Sequence, residues 1–462
     1  MNTIRTPIIP LEQTFTKVKE PRALHYEAIC VFVATGFFLE KDSFYKDEQI
    51  LQPGIDYVLD CNGVIQKQTP YFKWFHEPRD ISFNTALDEF TDLFETIVKE
   101  QTGNNRVLLP LSGGLDSRSQ AVALKYLGAD VHSYSYSFAG GFKEHKISEQ
   151  IAKACGFPFD PFIIPPNYLW GVLDGAADIN QCYSEFTHPR QMAVLEKFKS
   201  MKGEFSLGHW GDVLFDRGIA EQDAHLSELD LIYKKVIKKG GLAVASALWK
   251  SWNLEGDFQA YLKSRIQTLL DQIDIADTGA KIRAFKSLYW APRWTSVSLS
   301  FFKAVHPVQL PYYDNRMCQF ICEIPEAYLA DRKMQIAYIK NRNPKVAAIP
   351  WQDQMPYNLY NYHKNKSPYN LPYRIKNKIK HKTRALIGNK YIQRNWELQF
   401  LGNQNEAKLL SYLYHPEFLD FVEKDVVDSL YQKFKSEDSV FYSHAVSMLL
   451  TLSVWNSKFN NL

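Results

Sequence analysis

Apolar and polar positions change period twice along this chain, and each change marks a different kind of structure. Over roughly the first eighty residues the apolar runs are short and broken by turn residues. AICVFVATGFFL (28–39) reads as a strand pair interrupted at Gly36, and LQPGIDYVLDCNGVIQ places Pro-Gly and Asn-Gly turns between extended stretches. From Phe83 to Gln101 the period becomes helical: Leu87, Phe90, Leu93, Phe94, Ile97 and Val98 fall on one face and acids on the other. Strands and helices then alternate. VLLPL (107–111) is a short apolar run of the kind buried in parallel sheets, RSQAVALKYLG is a helix ending at Gly128, VHSYSYSF (131–138) a second strand, KISEQIAKACG a second helix, and EFSLG (204–208) a later strand. Such alternation predicts a parallel sheet covered by helices on both faces. Beyond about Gln222 the pattern is mostly helical.

With 462 residues, 45% of them apolar and 14% aromatic, the chain has ample material for a large core. A formal net charge of +3 points to no partner class. The start, MNTIRTPIIPLEQTF, lacks the layout of a secretion signal, and the longest apolar run, Ala28 to Leu39, is too short for a membrane span. A cytoplasmic protein without a membrane span is expected. Six scattered cysteines (Cys30, Cys61, Cys155, Cys182, Cys318, Cys322) form no CxxC pair, and Cys318 and Cys322, four apart in an apolar stretch, read as two buried thiols on one helix face. Between Asp353 and Glu397 there is no acid but ten Lys or Arg, from Lys364 to Arg394, with Ile375, Ile379 and Leu386 at helical spacing. That segment is either a solvated basic helix or a lid whose lysines hold an anion.

The chemistry is concentrated in Ser112-Gly113-Gly114-Leu115-Asp116-Ser117, set directly after one strand and before a helix. Two glycines let the backbone turn tightly, and the free N–H groups of the turn and helix start converge on one point, which suits a phosphate. Ser112 and Ser117 add hydroxyl donors. Asp116 would repel a phosphate unless a divalent cation lay between them, so the motif implies a metal-bridged polyphosphate. No GxxxxGK[ST] string is present, which sets it apart from the ordinary P-loop.

SGGLDSR resembles the pyrophosphate-binding loop of the ATP pyrophosphatase superfamily, in particular its asparagine synthetase branch and the related β-lactam synthetases. The resemblance runs from about residue 20 to 320. It implies an α/β fold: a parallel-sheet, adenine nucleotide alpha hydrolase-like domain with a helical C-terminal part over 83–462, preceded by a small β-rich domain over 1–82. The latter resembles only the last strands of the family's glutaminase. By the same resemblance ATP and Mg2+ are expected. Leu111, Tyr136 and Gly208 would line the adenosine, with Ser112, Gly113, Gly114, Asp116 and Ser117 around the phosphates. Asp116 and Asp212, the latter in Gly208-His209-Trp210-Gly211-Asp212-Val213, would hold the metal. The implied reaction adenylates a small-molecule carboxylate, releases pyrophosphate and passes the acyl group to ammonia or an amine.

Three departures qualify that expectation. Position 2 is Asn2, where glutamine-hydrolysing relatives expose a cysteine, so no glutaminase activity is expected and a separate subunit would have to supply ammonia from glutamine. The family's proton-handling position falls on His209, which reads either as a base or as a structural histidine beside Trp210. The stretch IPWQDQMPYN lacks the family's transition-state lysine, with Lys340 and Lys345 the nearest upstream. His188 and Arg190, in EFTHPRQ, are further candidates for substrate contacts, and Arg293 and Asp314 read as structural. The alternative reading is a catalytically impaired nucleotide-binding regulator or scaffold, favoured by the missing lysine and by Val213 where the family has Glu. Neither a thiolation cysteine nor an RNA-binding appendage is evident, which argues against a tRNA-modifying relative and a nucleic-acid partner.

Overall fold

The structure, a computed structural model, describes residues 2–141, 143, 145–216, 219, 221–386 and 391–460. Its centre is a five-stranded, wholly parallel sheet. In space the order is Val308–Gln309, Glu204–Ser206, Val107–Pro110, Val131–Phe138, Phe159–Ile164. Val107–Pro110 and its helix Asp116–Tyr126 open a series that winds outward through Val131–Phe138 to Phe159–Ile164. Glu204–Ser206 returns to the other side of Val107–Pro110 and winds the opposite way. Loops leaving the two central strands therefore diverge, and a crevice opens between them at the carboxyl ends of the strands.

The helix predicted from 83 runs Phe83–Thr102, started by the Ser82 side chain accepting from Thr85 N–H. It buries Ala86, Leu87, Phe90, Phe94, Ile97 and Val98. Three small strands of the N-terminal part, Asn2–Arg5, Ile55–Leu59 and Ile65–Pro70, form an antiparallel sheet, and Phe15–Lys17 pairs with Glu48–Ile50.

Residues 28–39 are not the strand pair that their run of apolar side chains suggests. Tyr26–Thr35 is a helix with every residue from Ala28 to Thr35 buried. Gly36, at φ +83°, closes it by donating its N–H to Phe32 O at 2.7 Å. A short segment apolar on all sides carries no period, and burial on every face decides for helix. Cys30 thus sits in a helix and not in a strand. This helix belongs to the same core as the rest of the chain, and Arg293, fully buried, ties it down by donating to the carbonyls of Phe38 (3.1 Å) and Asp42. Asp314 caps the helix Asn315–Cys322 by accepting from Arg316 N–H at 2.9 Å. Both residues hold the fold together.

The C-terminal part is helical. Its last helix, Ser439–Phe459, runs buried through the core from Ala445 to Asn456. Among the described residues no helix is long and apolar enough to cross a membrane.

Candidate active site

Ser112–Leu115 leaves the strand Val107–Pro110 and turns into the helix that starts at Asp116. Ser117 Oγ accepts from Ser112 N–H at 3.1 Å and lies 3.0 Å from Ser112 Oγ, which in turn accepts from Gly114 N–H at 3.2 Å. The two serines thereby hold the turn closed around its own amides. Behind it, Leu111 O accepts from Ser148 Oγ at 2.9 Å, and Arg118, wholly buried, donates to the carbonyls of Gly113, Ile349 and Pro350 at 3.1, 3.0 and 2.8 Å. Burial with only carbonyl partners pulls the Arg118 pKa down to about 10.

The second loop, Leu207–Trp210, packs directly on the first. A side chain at Gly208 would meet Ser117 N at 2.9 Å, and one at Gly211 would meet Asp116 Cγ at 2.7 Å and Tyr312 Cε2 at 3.0 Å. Both positions need the missing Cβ for this approach. Trp210, between them, holds a left-handed backbone at φ +80° and donates Nε1–H to Ser287 Oγ at 3.1 Å. The short helix Gly211–Leu214 then carries Asp212 into the crevice, where it is exposed. Asp116 and Asp212 are near enough for each charge to act on the other. Burial, reinforced by Asp212 and opposed by Arg332, raises the Asp116 pKa above the ordinary carboxylate range.

Two side chains invisible as site residues in the sequence complete this wall. Arg332 donates to Asp116 Oδ1 and is steadied by Gln335 Oε1 at 2.6 Å, while Gln335 Nε2 donates to the same Asp116 oxygen and to Tyr312 OH, both at 3.0 Å. Arg332 and its neighbour Asp331 both have left-handed backbones, at φ +62° and +56°. Gln352 lies across the glycine loop: its Oε1 accepts from Gly113 N–H at 3.2 Å and its N–H donates to Gly113 O at 3.0 Å. It belongs to IPWQDQMPYN, where the family lysine is missing. Among the described residues no hydrogen bond or ion pair links Lys340 or Lys345 to the loop; Lys340 stands over the Tyr360 ring at 5.3 Å. Arg332 is the cation at Asp116.

The opposite wall is aromatic and electropositive. His188 and His209 sense each other's charge, and both rings are open to the crevice though deep between its walls. Desolvation lowers His209 to about 4 against the pull of Asp212. It lowers His188 to about 3, helped by Lys238, Arg190 and His209. Arg190 lies over the Phe138 ring at 5.6 Å, and its charge reaches Tyr136, whose hydroxyl pKa burial raises. The His188 ring meets Trp294 at 4.6 Å. Lys238 Nζ stands 4.9 Å from Trp294 and 5.6 Å from Trp290, and Lys286 Nζ stands 5.7 Å from Trp290. Among the described residues the Lys238 ammonium has no hydrogen-bond or ion-pair partner, and burial lowers its pKa. Glu185 is the carboxylate nearby, but its Oε2 accepts from Thr187 N–H, Thr187 Oγ1 and Ser447 Oγ at 2.7, 2.5 and 2.6 Å.

Leu111–Ser117 and Gly208–Asp212 form the two loops, whereas Tyr136 lies on the strand Val131–Phe138 and His188 and Arg190 come from the segment after the helix Leu169–Asn180. Arg332, Gln335, Gln352, Lys238 and Lys286 come from distant segments without motif or period to mark them. No family model matches the chain, and no curated protein matches it. Among solved structures the chain is similar to the U34-tRNA thiolase NcsA from Methanococcus maripaludis, solved with its 4Fe–4S cluster. Identity is 13%, over 45% of this chain and 80% of that one, at a TM-score of 0.21. A likeness that slight carries no weight for the site.

Proposed function

We propose that this chain is an ATP-dependent ligase of the ATP pyrophosphatase type, which adenylates a carboxylate and transfers the acyl group to ammonia or an amine. The observation carrying this reading is the pairing of SGGLDS with Gly208–Asp212 where the winding order of the parallel strands reverses. Ser112 and Ser117 shape the first loop around its amides, Gly208 and Gly211 of the second pack on Asp116 and Ser117, and Asp116 and Asp212 stand close enough to interact electrostatically.

ATP would lie with its phosphates on the first loop and its adenosine along Leu111, Tyr136 and Gly208. Asp116 and Asp212 are the carboxylates that would hold magnesium; that ion commonly takes one or two carboxylates and completes its shell with phosphate oxygens and water. When bound, the ion supplies charge neutralisation at the phosphates.

A carboxylate oxygen then attacks the α-phosphorus and the bond to the β-phosphate oxygen breaks. Pyrophosphate leaves with the electron pair. Lys238 and Lys286, with His188 and Arg190 beside them, make the wall that would hold an anionic acyl donor next to the α-phosphate. The amine nitrogen next attacks the acyl carbon, AMP leaves, and His209, neutral at pH 7, takes the amine proton.

Incubation with Mg-ATP and a library of carboxylates, followed by assay of pyrophosphate and AMP, tests the proposal. Release of ADP and orthophosphate would sink it. Asp116→Ala and Asp212→Ala should each abolish magnesium-dependent turnover. A second reading, a nucleotide-binding regulator without catalysis, is favoured by Gln352 lying on the loop and Arg332 on Asp116. Tight Mg-ATP binding with no pyrophosphate release for any carboxylate would decide for it.

A further inference from the structure

We propose that the helix Leu371–Leu386 docks this chain on an anionic lipid surface. The helix is 16 residues long, so it extends over about 24 Å. It is fastened at its root: Tyr369 O accepts from Tyr357 OH at 2.8 Å, and buried Asn370 donates to Asn365 Oδ1 at 3.1 Å. Beyond the root most of its described side chains reach into solvent. Arg374, Lys376, Lys378, Lys380 and Lys382 are exposed. So are Leu371, Ile375 and Ile379, at 42%, 57% and 60%, together with Tyr369 at 60%. The side chain of Leu386, the third member of the expected stripe, lies outside the described residues.

At about 100° per residue, Leu371, Ile375 and Ile379 fall within roughly 80° of one another on the helix surface. A lone exposed isoleucine is ordinary, but three large aliphatic side chains in one stripe on an otherwise cationic helix are not. Among the described residues the stripe has no cover, and its surroundings select what could cover it. Six Lys or Arg within the helix, and no acid anywhere from Gln354 to Trp396, repel a second copy of the same face. A nucleic acid would neutralise the cations and leave the aliphatic stripe in water. An anionic leaflet satisfies both features: aliphatic side chains enter the acyl boundary while the lysines extend along it to lipid phosphates. This interaction is independent of the reaction proposed above, since no residue of the helix belongs to the crevice.

The test is co-sedimentation of the full chain with phosphatidylcholine vesicles, with and without phosphatidylglycerol. The protein should pellet with the anionic vesicles and not with the neutral ones, and salt should release it. The double variant Ile375→Ser with Ile379→Ser should weaken binding on the order of tenfold. Replacing Lys376, Lys378, Lys380 and Lys382 by Gln should weaken it by roughly fivefold per lysine. All six substituted positions are solvent-facing, so both variants should keep the parent's melting temperature and Mg-ATP affinity. Absence of anionic-vesicle binding by the parent overturns the proposal. So does an isoleucine double variant that pellets like the parent, because attraction would then be charge alone. Binding of a single-stranded oligonucleotide that displaces vesicles and ignores the isoleucine pair would identify a nucleic-acid surface instead.

Discussion

Arg332 donates to the carboxylate of Asp116, a residue 216 positions earlier in the chain. Its guanidinium is steadied by Gln335, and its own backbone is left-handed, a conformation that non-glycine residues adopt at a cost. The ion pair places a positive charge at Asp116. On the function proposed above, a bound magnesium ion would be held by Asp116 and the guanidinium would then be free to face the phosphates. Arg332→Ala should therefore lower ATP–pyrophosphate exchange by about 10²–10³. Faster exchange in that variant would mean that the pair only blocks the site.

Gly211 lies against Asp116 with no room for a side chain, and the atoms it would strike include the Tyr312 ring. Gly211→Ala should push the two loops apart. Mg-ATP affinity should fall at least about tenfold, and the melting temperature should drop too, because Tyr312 and Leu214 beside it belong to the core. Equal nucleotide binding, by calorimetry, would show that the loops need not touch.

His209 is the proton acceptor in the proposed transfer. Its pKa of about 4 leaves it neutral across the physiological range, so its own titration should give no inflection in amide formation near neutral pH. His209→Ala should retain pyrophosphate exchange and lose roughly 10²–10⁴-fold in amide formation. Loss of ATP binding instead would make the ring structural. Unchanged product formation would move the role to His188.

Lys238, between Trp290 and Trp294 and without an acid partner among the described residues, would on the proposed function hold an anionic group of the acyl donor. Lys238→Met keeps the apolar stem and removes the charge. It should raise KM for the carboxylate on the order of tenfold or more, leaving KM for ATP unchanged. An effect on ATP alone would place the lysine at the nucleotide.

Acid should destabilise the fold through His444, which lies 2.9 Å from Val33 O and whose pKa desolvation lowers to about 4. The folded state keeps this ring neutral, whereas the unfolded chain takes up a proton as the pH falls through about 6.5. Its contribution is complete above that pH and drains away toward the folded value. Urea melts between about pH 6.5 and 5 should show the parent losing stability relative to His444→Gln as the pH falls. Parallel profiles for the two proteins would contradict this.

Much of the fold could be read before any coordinate, because local pattern carries it. The helical period from Leu87 to Val98, the strand–turn–helix around SGGLDS and the strand VHSYSYSF all follow from spacing that neighbours in the chain enforce on each other. Residues 28–39 escaped that logic, since a segment buried on every face has no polar side to reveal its period. The basic helix was legible as a helix and, in one of its two readings, as a solvated one; that it leaves Ile375 and Ile379 exposed depends on what packs beside them.

What the sequence alone determined is the glycine-and-serine turn with its aspartate, since a turn's amides and hydroxyls come from consecutive residues. That Asp116 lies beside Asp212 was decided only when Glu204–Ser206 took its place next to Val107–Pro110, a strand order that no local spacing encodes. Arg332, Gln352 and Lys238 entered the crevice in the same way, from helices and turns whose own patterns record only which face is buried. Side-chain partners that far apart are chosen by core packing, which is a property of the whole chain.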